Sequence, residues 1–118
     1  MGRRRWRDYR TETGARPVRD FMETLDALEF AELTAAMKRV AREGLAAARH
    51  LRGEVYEVRA RGQTRQFRVL FAQEGQASQV ILSLTAFIKK TQRTPLRELE
   101  LAEQRLSDWR ARSRPRLH

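Results

Sequence analysis

Two periodicities divide the chain. Between residues 17 and 43 apolar residues recur every three or four positions, the spacing of helices with one buried face. Val18, Phe21, Met22, Leu25 and Leu28 form a first stripe, and Leu33, Ala36, Met37, Val40 and Ala41 a second that stops at Gly44. Pro17 suits a first helical turn and Gly44 a helix end, so this region predicts a helical hairpin. From residue 55 the period drops to two. Over Val55 to Arg61, Tyr56, Val58 and Ala60 share one face while Glu57, Arg59 and Arg61 share the other. Beyond a turn at Gly62-Gln63, Phe67, Val69 and Phe71 alternate with Gln66, Arg68 and Leu70. Residues 79–88 are apolar on both faces, as a central, covered strand should be.

Thr94 is expected to cap a last helix with Pro95 at its first position, its apolar stripe being Leu99, Ala102, Leu106 and Trp109. Near the start, Trp6 and Tyr9 favour a short edge strand over residues 5–10. Residues 113–118 read as a frayed basic tail. The order β-α-α-β-β-β-α predicts an α+β domain: an N-terminal strand, the helical hairpin, a three-stranded antiparallel meander and a C-terminal helix. At 118 residues the chain has the length of one domain, expected to span 1–118.

Composition narrows the chemistry. There is no Cys, which excludes a disulfide framework, a thiolate metal site and a cysteine nucleophile. His50 and His118 are the only histidines, too few for a histidine-rich metal site. No apolar run reaches the ~18 residues of a membrane span. The basic start has no apolar stretch behind it to form a secretory signal. Trp6 stands where a myristoylation signal needs Ser or Thr. A soluble cytoplasmic protein, with no membrane partner, is the expectation.

The net charge of +10 is unevenly placed. Residues 17–32 carry a net −4, while every other stretch is basic. Such a molecule suits a polyanion met by one side, with the acidic helix surface turned away. Of 25 basic residues 22 are Arg. That bias fits bidentate phosphate contact, and fits GC-rich codon usage equally well.

Residues 56–105 carry a more specific signal. Glu57 and Arg59 form a Glu-x-Arg strand, and Phe67 to Phe71 surround Arg68 in an aromatic-Arg-Val-Leu-aromatic strand. Phe87-Ile88-Lys89-Lys90 ends the hydrophobic strand, Thr91-Gln92-Arg93 forms a short loop, and Thr94-Pro95 opens an Ala-containing helix. This ordered set resembles the phage-type HigB branch of the RelE/ParE toxins of bacterial type II toxin–antitoxin pairs. The resemblance implies a RelE-like fold and a ribosome-dependent mRNA endoribonuclease. Such a toxin acts in the 70S ribosome A site without metal or other cofactor, by attack of a 2′-hydroxyl on the adjacent phosphate. It also implies a cognate antitoxin, often a helix-turn-helix protein. One departure stands out: where the family often reads Leu-His-Gly-Phe, this chain has Leu84-Thr85-Ala86-Phe87. An imidazole base at that position is absent.

Cleavage of this kind needs a base, charge stabilisation at the phosphorane and an acid for the leaving oxygen. Arg68 and Arg59, on neighbouring strands and opposite each strand's main apolar stripe, can converge on one phosphate. A solvated strand face, or an ion pair with Glu57, is the plain alternative. Lys89, Lys90 and Arg93 follow the central strand. Neighbouring cations lower a lysine's pKa, so a Lys89/Lys90 pair suits proton transfer, or serves only as a basic loop on ribosomal RNA. Arg61 and Arg65 complete the expected phosphate-binding set. Arg3, Arg4, Arg5 and the arginines from Arg110 onward are expected to touch RNA phosphates without reading sequence. Tyr56 and Phe87 fit the core better than stacking platforms. Two other readings stay open: a gyrase inhibitor of the ParE kind, and an RNA- or ribosome-binding module without catalysis.

Overall fold

The backbone of an apolar strand must be paired and its side chains covered, and both demands shape the computed structural model, which describes residues 4–113. In chain order the elements are β1 (Arg5–Asp8), α1 (Pro17–Glu23), α2 (Ala27–Glu43), β2 (Arg49–Arg52), β3 (Val55–Arg61), β4 (Gln66–Glu74), β5 (Val80–Lys89) and α3 (Leu96–Ser113). Short 3-10 turns lie at Gly44–Ala47 and Gln76–Ser78. The strands form one sheet in the order β1-β5-β4-β3-β2. β5 therefore sits inside the sheet, as its two apolar faces require.

Helices cover both faces. On one side Val58, Val69, Phe71 and Ile81 pack with Val18 of α1 and with Leu33, Met37 and Val40 of α2. On the other, Leu70, Ala72, Leu82, Leu84 and Phe87 pack with Ala102 and Leu106 of α3. The acidic stretch lies on the first side, with Asp20, Glu23 and Glu32 exposed. No helix among the described residues is long and apolar enough to cross a membrane.

Four sequence expectations are corrected. The meander is antiparallel as expected, but the sheet as a whole is mixed, because β1 pairs parallel to β5 (Arg5 with Val80 through Asp8 with Ser83). A fifth strand, β2, precedes the meander, with Arg49 opposite Glu57 and His50 opposite Tyr56. Arg-His-Leu-Arg has no alternation to announce a strand, and pairing with β3 creates it. The first helical stripe breaks at Asp26. The Asp26 carboxylate accepts from the Glu29 N–H at 2.8 Å while the Glu29 carboxylate accepts from the Asp26 N–H at 3.1 Å. This capping box starts α2 early and leaves Leu28 47% exposed. Finally, Thr94 does not cap α3. Its hydroxyl donates to Glu57, and the Pro95 carbonyl accepts the first helical N–H groups, from Glu98 and Leu99. Of the expected tail, Ser113 ends α3 and residues 114–118 lie outside the described residues, as does Arg3.

β5 contains a β-bulge. Leu70 of β4 faces Thr85, yet its neighbour Phe71 faces Ser83, so Leu84 is an extra residue. Upstream of it Ile81 and Ser83 point to the α1/α2 layer. Downstream the parity is reversed, and Thr85, Phe87 and Lys89 point to the α3 side.

Leu33 is fully buried between α2 and the sheet. Leu33→Ala is expected to cost about 2–5 kcal/mol, read as a lower urea midpoint at unchanged m-value.

Candidate functional site

Three cross-strand rows on the α3 side build the site, since directly paired residues share a face. The first row is Arg49–Glu57–Leu70–Thr85, the second Arg59–Arg68–Phe87, and the third Arg61–Gln66–Lys89. The start of α3 lies over the first row. Thr94 donates to Glu57 Oε2 at 2.7 Å, and Thr85 donates to Glu98 Oε1 at 2.8 Å. The next two rows run out beyond the helix. There they floor an open groove of about 500 Å³ bordered by Arg49, Arg59, Gln66 and Lys89 and by Lys90, Thr91 and Gln92 of the following loop. A hollow of about 220 Å³ adjoins it, where Arg59, Arg61 and Gln66 surround Arg68.

Arg68 is the deepest of these cations, with 5% of its side chain exposed. Its guanidinium donates to the Phe67 carbonyl at 3.0 Å and to Gln66 Oε1 at 3.2 Å. Glu57 Oε1 lies 3.6 Å from Arg68 Nε, an ion pair too long to be a hydrogen bond, and neither atom has another partner. Burial, and then Arg59, Arg49 and Arg61, pull the Arg68 pKa down against Glu57, yet arginine stays a cation. Its chemistry here is that of a fixed positive charge.

Lys89 is different because lysine can lose its proton. Burial and the cations Arg68, Arg49 and Arg59 hold its ammonium below the ordinary lysine range, while Glu57 opposes them. A lysine at the mouth of a cationic groove is thus moved towards the neutral form, the form a proton acceptor needs.

The other expected residues divide. Arg59 and Arg61 border the groove and hollow, and Lys90 stands on the groove wall. Arg93 is exposed on the β5–α3 loop, its carbonyl accepting from Thr91 Oγ1 at 2.8 Å. Arg65 is not brought to the groove. It pairs in bidentate fashion with Glu29 at 2.7 and 2.9 Å and ties the β3–β4 turn to α2. Arg110 is likewise engaged, by Glu54 and Glu74 at 2.6 Å each, and Arg112 by Asp108. Tyr56 stacks on Phe71 and Phe87 is buried, both as expected of core side chains. His50 faces Tyr56, away from the groove, and its Nε2 lies 2.8 Å from the Gly53 carbonyl oxygen.

Sequence reasoning missed Arg49, which arrives on the unannounced strand β2, and the two glutamines, Gln66 and Gln92, that line the groove. The reversal of period after residue 53 would have flagged Arg49 only if the four residues before it had been tested as a partner strand. Thr85, at the position of the family histidine, is buried and bonded to Glu98 beneath the start of α3.

The charge map makes a signed prediction. Glu57→Gln removes the one carboxylate that supports the Lys89 ammonium and should lower its pKa further, while Arg59→Gln should raise it. Titration of the lysine Nζ resonances by NMR reads both shifts; a reversal of either sign would break the map.

Residues 20–107 match the family described as Phage derived protein Gp49-like. Two relatives, the probable endoribonuclease HigB1 of Mycobacterium tuberculosis strains CDC 1551 / Oshkosh and ATCC 25618 / H37Rv, are each 34% identical over 110 residues. Those alignments span 89% of this chain and 84% of the relatives. The family match runs from within α1 to within α3 and covers α2, the meander and the groove, and the chain belongs to the Gp49-like family of phage-derived proteins, as a HigB-type toxin.

Proposed function

We propose that the protein is the toxin of a type II toxin–antitoxin pair and acts as an endoribonuclease on messenger RNA in the ribosomal A site. The observation that carries this reading is the convergence of Arg49, Arg59 and Lys89 on one open groove, with Arg68 in the adjoining hollow and the lysine held towards its neutral form. The HigB1 relatives, named as probable endoribonucleases, support the same reading.

In this scheme neutral Lys89 takes the proton of the 2′-hydroxyl as its oxygen attacks the adjacent phosphorus. Arg68 and Arg59 stabilise the charge that builds on the phosphorane oxygens. The P–O5′ bond breaks, the Lys90 ammonium gives a proton to the departing 5′-oxygen, and a 2′,3′-cyclic phosphate remains. Arg61 and Arg93 hold flanking phosphates. The acidic α1/α2 side faces away from ribosomal RNA, and a helix-turn-helix antitoxin is the cognate partner. The absence of the family histidine does not empty this groove, because Thr85 lies under α3 and four residues from Lys89, about 13 Å along the strand.

Arg68→Ala is a poor test, since it leaves Glu57 as an unpaired buried charge. Lys89→Met and Arg59→Ala keep that pair intact. In cell-free translation followed by primer extension, the protein should cut translated message and spare message without ribosomes. Lys89→Met should slow cleavage about 10²-fold or more with the fold retained. Undiminished cutting by Lys89→Met would remove the lysine from the mechanism. Intact message would point to a binding module if ribosomes are still bound, and to gyrase if DNA breaks appear instead.

A further inference from the structure

The chain has two tryptophans, and both line a second groove remote from the one above. This groove, of about 380 Å³, runs along the edge strand β1 and against the last turns of α3. Trp109 lies 13 residues beyond Leu96, about 20 Å along α3, so this groove is far from the start of the helix, beyond which the first groove opens.

We propose that this β1-edge groove is a second RNA site, which takes a phosphate and a neighbouring unpaired base and holds them away from the point of cleavage. Arg7 carries the argument. Its guanidinium carbon lies 5.1 Å from the centre of the Trp109 ring, and the residue is exposed. A guanidinium plane seated on an indole offers its outer face to a nucleobase, the stacking by which proteins hold single-stranded RNA. Arg10 stands at the same groove, and neither it nor Arg7 has a carboxylate partner among the described residues.

The remaining wall residues are already committed. The oxygens of Asp8, the one acidic lining residue, accept from Ser83 Oγ and from Arg16, each at 2.9 Å. Arg112 is held by Asp108 and by the Arg10 carbonyl. Trp6 donates from Nε1 to the Met37 carbonyl at 2.7 Å and packs edge-on against Phe71. Two unpaired cations and one stacked plane are therefore presented by a rigid frame. An acidic peptide would use the charges and leave the plane idle, so RNA is the better fit.

The two tryptophans make occupancy directly visible. Titration with an uncleavable 2′-O-methyl hexanucleotide should change tryptophan emission saturably. Arg7→Lys and Arg10→Ala should each weaken binding, and together about tenfold or more, while Lys89→Met leaves the change intact. Arg10 makes no cation–π contact with either indole among the described residues, so Arg10→Ala controls for the direct effect of Arg7 on emission. An equal change with an abasic hexanucleotide or with polyglutamate overturns base stacking, and no change overturns the site. Co-sedimentation of the double variant with message-free ribosomes separates the sources: loss assigns the site to ribosomal RNA, and retention assigns it to message. The fluorescence experiment requires no cleavage, so it fails or succeeds independently of the nuclease reading.

Discussion

A carboxylate and a guanidinium withdrawn from water hold the site together. Glu57 and Arg68 are both buried, on adjacent strands, and removing either would strand the other's charge at a cost of about 3–5 kcal/mol. The pair is compensated from several directions. Thr94 donates to Glu57 from the loop before α3, and Gln66 and the Phe67 carbonyl take two of the Arg68 N–H groups. Positions of strand, loop and helix are consequently linked through one ion pair. Its unfilled 3.6 Å gap leaves a donor directed at no hydrogen-bonding partner.

The same pair sets the electrostatics. Glu57 is the carboxylate set among Arg49, Arg59, Arg68 and Lys89, enough to keep the cluster tolerable and too little to neutralise it. Elsewhere the acidic residues are spent differently. Glu29 engages Arg65, Glu103 engages Arg52, and Glu54 with Glu74 engages Arg110. Among the described residues, some arginines are thus fixed by partners while others stand available at the two grooves.

What was legible in the sequence follows from how local each signal is. The helices, the meander and the doubly covered β5 are written in periodicity, because burial on a known face repeats every two or every 3.6 residues. Arg59, Arg61, Arg68 and Lys89 were legible because they lie opposite apolar stripes or at a strand's end. β2 was not, since its four residues become a strand only through β3. Arg65 was misjudged for a related reason. A basic residue in a turn looks solvated until a distant glutamate, here Glu29 at 36 positions' separation, reaches it. Nor did Thr94, which reads as a cap by composition, announce that a buried carboxylate would outcompete the helix for its hydroxyl.

The extra residue in β5 carries a consequence of another kind. Side chains on a strand are assigned to faces by counting, and Leu84 changes the count. Were Leu84 paired opposite Leu70 instead of bulged out, Ile88 would fall opposite Gln66 in the place of Lys89, and the lysine would turn to the α1/α2 face, with every residue type unchanged. The cationic character of the groove therefore resides partly in register, in where one strand stores its spare residue. A relative that kept the residue but lost the bulge would look identical in composition and present an isoleucine where the lysine now stands.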